Sequence, residues 1–146
     1  MAERTGFPVV SGTAPTVHIP AWISIVVLLG AALTALGAIV ALERPAMMLS
    51  PNAAISEGVR VYAGYLVSRN LAIAIALVAL LAVRARRTLS GLMFLVATIQ
   101  LFDVVIDCIE GRWMIVPGIM VFGLVYLVAA IRLAGRPLWH SETWRD

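Results

Sequence analysis

The sequence predicts an all-α fold, an integral membrane four-helix bundle whose N and C termini both face the cytoplasm. Of the 146 residues, 62% are hydrophobic and only 13% are charged. The mean hydropathy is +0.98. A soluble domain of this size could not bury so much apolar surface, so the chain belongs in a lipid bilayer. Four apolar runs fill most of its length, which indicates one domain.

The chain divides into two tails and a membrane domain. Residues 1–20, rich in Gly, Pro, Ser and Thr, are the predicted N-terminal cytoplasmic tail. The membrane domain spans 21–134, with helices predicted over about 21–42, 58–83, 89–109 and 114–133. Each run is long enough to cross a hydrocarbon core of about 30 Å. Residues 135–146 carry two tryptophans and form the predicted C-terminal interfacial tail.

The first two helices have recognisable starts. Pro20 suits the beginning of helix 1, and Ser50 or Ser56 is the expected cap of helix 2. Helix 1 also carries small residues every four positions, a spacing that allows another helix to approach closely. These residues are Gly30, Thr34 and Ala38. The same stripe offers a surface through which two copies of the chain could dimerise.

The turn between helices 2 and 3 sets the predicted topology. It contains Arg84, Arg86 and Arg87, and short Arg-rich loops stay in the cytoplasm. Both termini then fall on that side, and the protein is expected to be a multi-pass protein of the cell membrane. In helix 4, Pro117 followed by Gly118 predicts a local kink.

Polar side chains follow one face of each central helix. On helix 3, Gln100, Asp103, Asp107 and Glu110 are separated by offsets of 3, 7 and 10, which place them on one helical face. On helix 2, Tyr62, Tyr65 and Arg69 have offsets of 3 and 7, with Asn70 one position round. Such residues inside a membrane are costly unless they are paired or functional.

Counting from the turn predicts how the two faces meet. Arg69 lies 14 residues before Val83, and Asp103 lies 14 residues after Leu89, so both are about 21 Å from the cytoplasmic end. We therefore expect an ion pair between Arg69 and Asp103, with Tyr65 near Asp107. In this arrangement Arg69 keeps Asp103 ionised, and Asp107 holds a proton near neutral pH. Arg112 is expected to be an interfacial charge.

Several function classes are disfavoured by composition. The net charge of +3 comes from Arg residues at segment ends, not from a basic groove, so nucleic acid is not an expected partner. The chain has no Lys for Schiff-base chemistry, and Cys108 is its single cysteine. His18 and His140 sit in opposite tails, and neither has the pattern of carboxylate or cysteine neighbours that is typical of a metal site. We expect no metal site and no cofactor.

Two segments resemble a known family. "YAGYLVSRNLAIAIALVAL", the Arg-rich turn and "LMFLVATIQLFDVVI" are similar to the DoxX-like small four-helix membrane proteins and related families of unknown function. The resemblance covers helices 2 and 3. It implies a four-helix membrane fold with an Arg-Asn or Arg-Asp pair early in helix 2, matching Arg69 and Asn70. It also implies an Asp late in helix 3, matching Asp103 or Asp107.

The favoured function is binding or acid–base turnover of a lipophilic small molecule, by isomerisation, cyclisation or epoxide opening. Asp103, Asp107 and Arg69 are the candidate catalytic residues. The candidate substrate-binding residues are Tyr65, Asn70, Gln100 and Tyr62.

Two alternatives stay open. The chain could be a non-catalytic accessory subunit whose polar cluster joins helices or a membrane partner protein. It could also be a proton-linked transporter. Besides the lipid bilayer and the small molecule, the partners considered are a second copy of the chain and another membrane protein.

Overall fold

The computed structural model describes residues 18–48 and 56–135. Its elements are α1 (Ala21–Glu43), a short 3₁₀ helix (Pro45–Met48), α2 (Glu57–Ala82), α3 (Arg86–Ile109) and α4 (Val116–Ala134). All four α-helices are long and apolar enough to cross a membrane. The chain is therefore a multi-pass membrane protein with an all-α fold. Most of both predicted tails, and Ser50, lie outside the described residues.

Local signals explain where the helices begin and end. The Ser56 hydroxyl accepts a hydrogen bond from the Val59 amide at 3.4 Å, so the predicted cap of α2 at Ser56 is confirmed. After α2 the chain reverses within three residues, and Arg84 adopts a left-handed φ of 53°. The reversal is tight enough for α3 to begin at Arg86, three residues earlier than the sequence predicted.

The kink predicted in α4 is wrong. Pro117 is the second residue of α4, which begins at Val116. The first amides of a helix have no intrahelical acceptor, so a proline there costs no hydrogen bond and bends nothing. α4 ends at Gly135, whose left-handed φ of 71° suits a residue without a side chain.

The bundle consists of two helical hairpins. α1 packs mainly on α2, and α3 packs mainly on α4, whereas α2 with α3 and α1 with α4 make far fewer contacts. The expectation that helices 2 and 3 pack closely along their polar faces is therefore wrong. A short turn joins two helices in sequence but does not make their faces pack.

The hydrophobic core lies toward the end of the bundle that holds the Arg84–Arg87 turn. Its buried members come from all four helices and include Val27, Leu77, Met93, Tyr126 and Leu133. Near this end, the Arg86 side chain donates to the Leu133 carbonyl at 2.6 Å. The Ser90 hydroxyl donates to the Ala130 carbonyl at 2.8 Å. These side-chain bonds tie the start of α3 to the end of α4.

The small residues of α1 face into the bundle. Gly30 lies against the Tyr126 ring of α4, and Ala38 is fully buried. The spacing noted in the sequence therefore serves close packing inside the chain. It does not present a free surface on α1 for a second copy, so the predicted dimerisation through this stripe is wrong.

Candidate functional site

A cavity of about 480 Å³ lies between the two hairpins. It occupies the half of the bundle away from the core, and all four helices line it. Four polar residues face it: Thr34 on α1, Asn70 on α2, and Gln100 and Asp103 on α3. The remaining lining is apolar or glycine. Its size and its few polar groups are typical of a small-molecule site.

Gln100 presents an unsatisfied acceptor. Its Oε1 atom is buried and accepts no hydrogen bond from any group in the described part of the chain. Gly123 on α4 lies beside it, since a Cβ there would be 3.4 Å from Gln100 Cβ and 3.7 Å from the Ala97 carbonyl oxygen. Close approach of α4 thus holds Gln100 in place. A buried acceptor without a donor costs about 1–3 kcal/mol, which a ligand's donor would recover.

Asp103 is the only carboxylate among the described residues that lines the cavity. It is half-buried, and its charge interacts with those of Arg69, Asp107 and Arg112. The predicted ion pair with Arg69 is wrong, because within the described ranges no salt bridge joins the two side chains. Arg69 is exposed on α2 and influences Asp103 only at a longer distance.

Asp107 has a different partner from the one expected. Its side chain is only 4% exposed and forms a salt bridge with the Arg112 guanidinium. The carboxylate that was expected to hold a proton is thus the one that receives a direct counter-charge. Arg112, expected to be an interfacial charge, is the cation that the sequence analysis missed.

The turn after α3 explains this pairing. Gly111 adopts a left-handed φ of 71°. Its amide bonds the Cys108 carbonyl at 3.2 Å, and the Arg112 amide bonds the Asp107 carbonyl at 2.8 Å. These two bonds form a Schellman motif, which brings the residue after the glycine back over the last turn of the helix. The Glu110-Gly111-Arg112 sequence was the signal that could have predicted the pair.

The other predicted site residues separate into two groups. Asn70, Gln100 and Asp103 come together around the cavity. Tyr62 and Tyr65 do not, since they are 78% and 72% exposed on the outer surface of α2. The close approach of Tyr65 to Asp107 that the register predicted is therefore wrong.

The cavity borders the hydrophobic core at Val96 and Phe122. Phe122 lines it, and its ring packs on the buried Tyr126 ring with centroids 5.0 Å apart. Elsewhere its wall has room, because a Cβ added at Gly37 or Gly118 would meet no atom within 4 Å. These glycines widen the cavity, and larger side chains there would fill it.

No group of three His, Cys, Asp or Glu side chains in residues 18–48 and 56–135 is placed to hold a metal ion. The resemblance of α2 and α3 to DoxX-like proteins stays a prediction. In comparisons with known proteins, the chain matches no family model, no curated protein and no solved structure.

Proposed function

We propose that this membrane protein binds a lipophilic small molecule in the cavity between its hairpins. The observation that carries the proposal is the buried, unpartnered Oε1 of Gln100 beside the Asp103 carboxyl, inside an otherwise apolar cavity of about 480 Å³. Ionisable groups within a membrane are expensive, and those that face an internal cavity mark functional sites. DoxX-like membership, location in the cell membrane and cytoplasmic termini are further parts of the proposal.

The chemistry we propose for the site is acid–base turnover centred on Asp103. Isomerisation, cyclisation and epoxide opening all require a proton to be given to or taken from the substrate, which a carboxyl group in contact with it can do. Asn70 and Gln100 would position the polar group of the substrate. Asp107, paired with Arg112, would support the site without touching the substrate. Arg69 would balance the charge of Asp103 from a distance.

The accessory-subunit alternative is favoured by a separate observation. Tyr62, Tyr65 and Arg69 form an exposed polar stripe on α2, within a helix able to span the membrane. A partner protein covering this stripe would remove polar groups from lipid. The transporter alternative has less support, because the cavity ends at the hydrophobic core.

The test compares what co-purifies with the parent protein and with its variants in mild detergent, identified by mass spectrometry. Gly37→Leu fills the cavity, and Asp103→Asn removes the acid while keeping the shape. Gly64→Leu is the matched control, because Gly64 lies in α2, away from the cavity, and also has open space around it.

The proposal expects a defined lipophilic compound with the parent and with Gly64→Leu. That compound should be lost from Gly37→Leu, and chemically different or lost with Asp103→Asn. A compound retained equally by the parent and by a folded Gly37→Leu variant would rule out the cavity as the binding site. If proteins rather than small molecules were retained, and Arg69→Ala released them, the accessory-subunit alternative would replace the proposal.

A further inference from the structure

Resting on the proposed function, we infer that the ligand is an uncharged lipophile bearing a hydroxyl group, which donates a hydrogen bond to Gln100 Oε1. Three properties of the cavity support this inference: the acceptors it leaves open, the balance of charge around it, and the apolar character of its remaining wall.

The open acceptors require a donor. Gln100 Oε1 is a carbonyl oxygen that can only accept, and its protein surroundings in the described ranges supply no donor. The oxygens of Asp103 beside it also accept. An ether, ketone or ester would leave the buried Oε1 unpaired. A ligand with an O–H group satisfies it.

The balance of charge around the cavity disfavours ionic ligands. The groups that interact electrostatically with Asp103 are Asp107, Arg69 and Arg112, so the four together carry two negative and two positive formal charges. A carboxylate would lie beside the carboxylate of Asp103, and an ammonium group, although it could pair with Asp103, would leave the four groups with a net positive charge inside the membrane. Desolvation of either ion would then oppose binding.

A hydroxyl also uses the remaining polar groups. Asn70 and Thr34 line the cavity from α2 and α1, and both side chains can donate to a hydroxyl oxygen. The rest of the wall suits a hydrocarbon body, since it is built from Leu33, Ile73, Val96, Ile99, Ile119 and Phe122. One hydroxyl on an apolar body therefore matches the whole lining.

The test measures competition for a photoactivatable decanol carrying a diazirine, with the protein in phosphatidylcholine nanodiscs. The competitors are decanol, decyl methyl ether, decylamine and decanoic acid, which have similar linear alkyl chains and differ in the polar group at one end. Decanol should compete best, and the ether about tenfold less well, because it leaves the buried acceptor unpaired. The amine and the acid should compete less well than decanol.

Gln100→Leu removes the acceptor and should abolish the preference for the alcohol over the ether, with Gln100→Met as the substitute if the leucine variant does not fold. Equal competition by ether and alcohol in the parent, or a preference for the amine or acid, would overturn the inference.

The Gly37→Leu variant shows whether only the inference about the hydroxyl group fails or whether the proposed function fails as well. If it blocks labelling while Gly64→Leu does not, the cavity is the binding site whichever polar end is preferred. If both variants are labelled like the parent, the proposed function fails and the inference fails with it.

Discussion

Gly30 allows α1 to approach the Tyr126 ring of α4 more closely than any other residue would. A Cβ there would overlap the phenol oxygen and lie 2.6 Å from Cε2. We predict that Gly30→Ala destabilises the protein by about 1–3 kcal/mol, the usual cost of overpacking a filled core. Gly37→Ala is the control, because its Cβ meets nothing within 4 Å. Thermal unfolding in detergent should separate the two, and equal midpoints would contradict the packing described for Gly30.

Arg112 should matter more for stability than Arg69. Arg112→Gln leaves the buried carboxylate of Asp107 without its salt bridge, which should cost about 1–3 kcal/mol. Arg69→Gln removes an exposed side chain that forms no salt bridge with Asp103, so its effect should be smaller. Thermal unfolding of both variants, with Asp107→Asn/Arg112→Gln to complete a double-mutant cycle, measures the coupling. If Arg69→Gln lowered the stability more than Arg112→Gln did, the predicted ion pair between Arg69 and Asp103 would be supported instead.

The difference between these two arginines shows what sequence reasoning could establish at this scale. Helical spacing placed Gln100 and Asp103 on one face, and both line the cavity. Equal depth in the membrane predicts a pair between Arg69 and Asp103, but it does not fix the rotation of each helix about its own axis. The partner of Asp107 instead lies five residues away in the chain, and a glycine turn brings it there.

At the scale of elements, the helices themselves were largely predictable. The predicted spans differ from those observed by three residues or fewer at each end, since apolar run length and caps determine them. The pairing of the helices in the bundle was harder to predict from the sequence. That choice depends on the fit of side chains such as Tyr126 against Gly30, and on bonds such as Ser90 to Ala130.

The bond from Ser90 to the Ala130 carbonyl should contribute to the pairing of α3 with α4. Ser90 is buried, and its hydroxyl donates to the neighbouring helix at 2.8 Å. Ser90→Ala should therefore lower stability by about 1 kcal/mol. Thr98→Ala is the matched control, because the Thr98 hydroxyl donates within its own helix, to the Phe94 carbonyl at 3.0 Å. Thermal unfolding that shows Thr98→Ala to be as costly as Ser90→Ala would argue against a role for this bond between the helices.

The whole molecule has one tightly packed end and one open end. The core lies toward the Arg84–Arg87 turn, whereas the cavity lies toward the turn that carries Arg112. Composition predicted a bundle in the bilayer but not this asymmetry, which arises from where large and small side chains meet along four helices. If the Arg-rich turn is cytoplasmic, the cavity lies in the outer half of the membrane.

The orientation of the bundle is a prediction that labelling can test. Short Arg-rich loops are retained in the cytoplasm, so Thr88, just after this turn, should be cytoplasmic. Met114, 97% exposed in the turn between α3 and α4, should face outward. In a Cys108→Ala background, a membrane-impermeant maleimide should label Met114→Cys in intact cells, and Thr88→Cys only after permeabilisation. The reverse pattern would place the open end toward the cytoplasm, and a ligand would then reach the cavity from the inner leaflet.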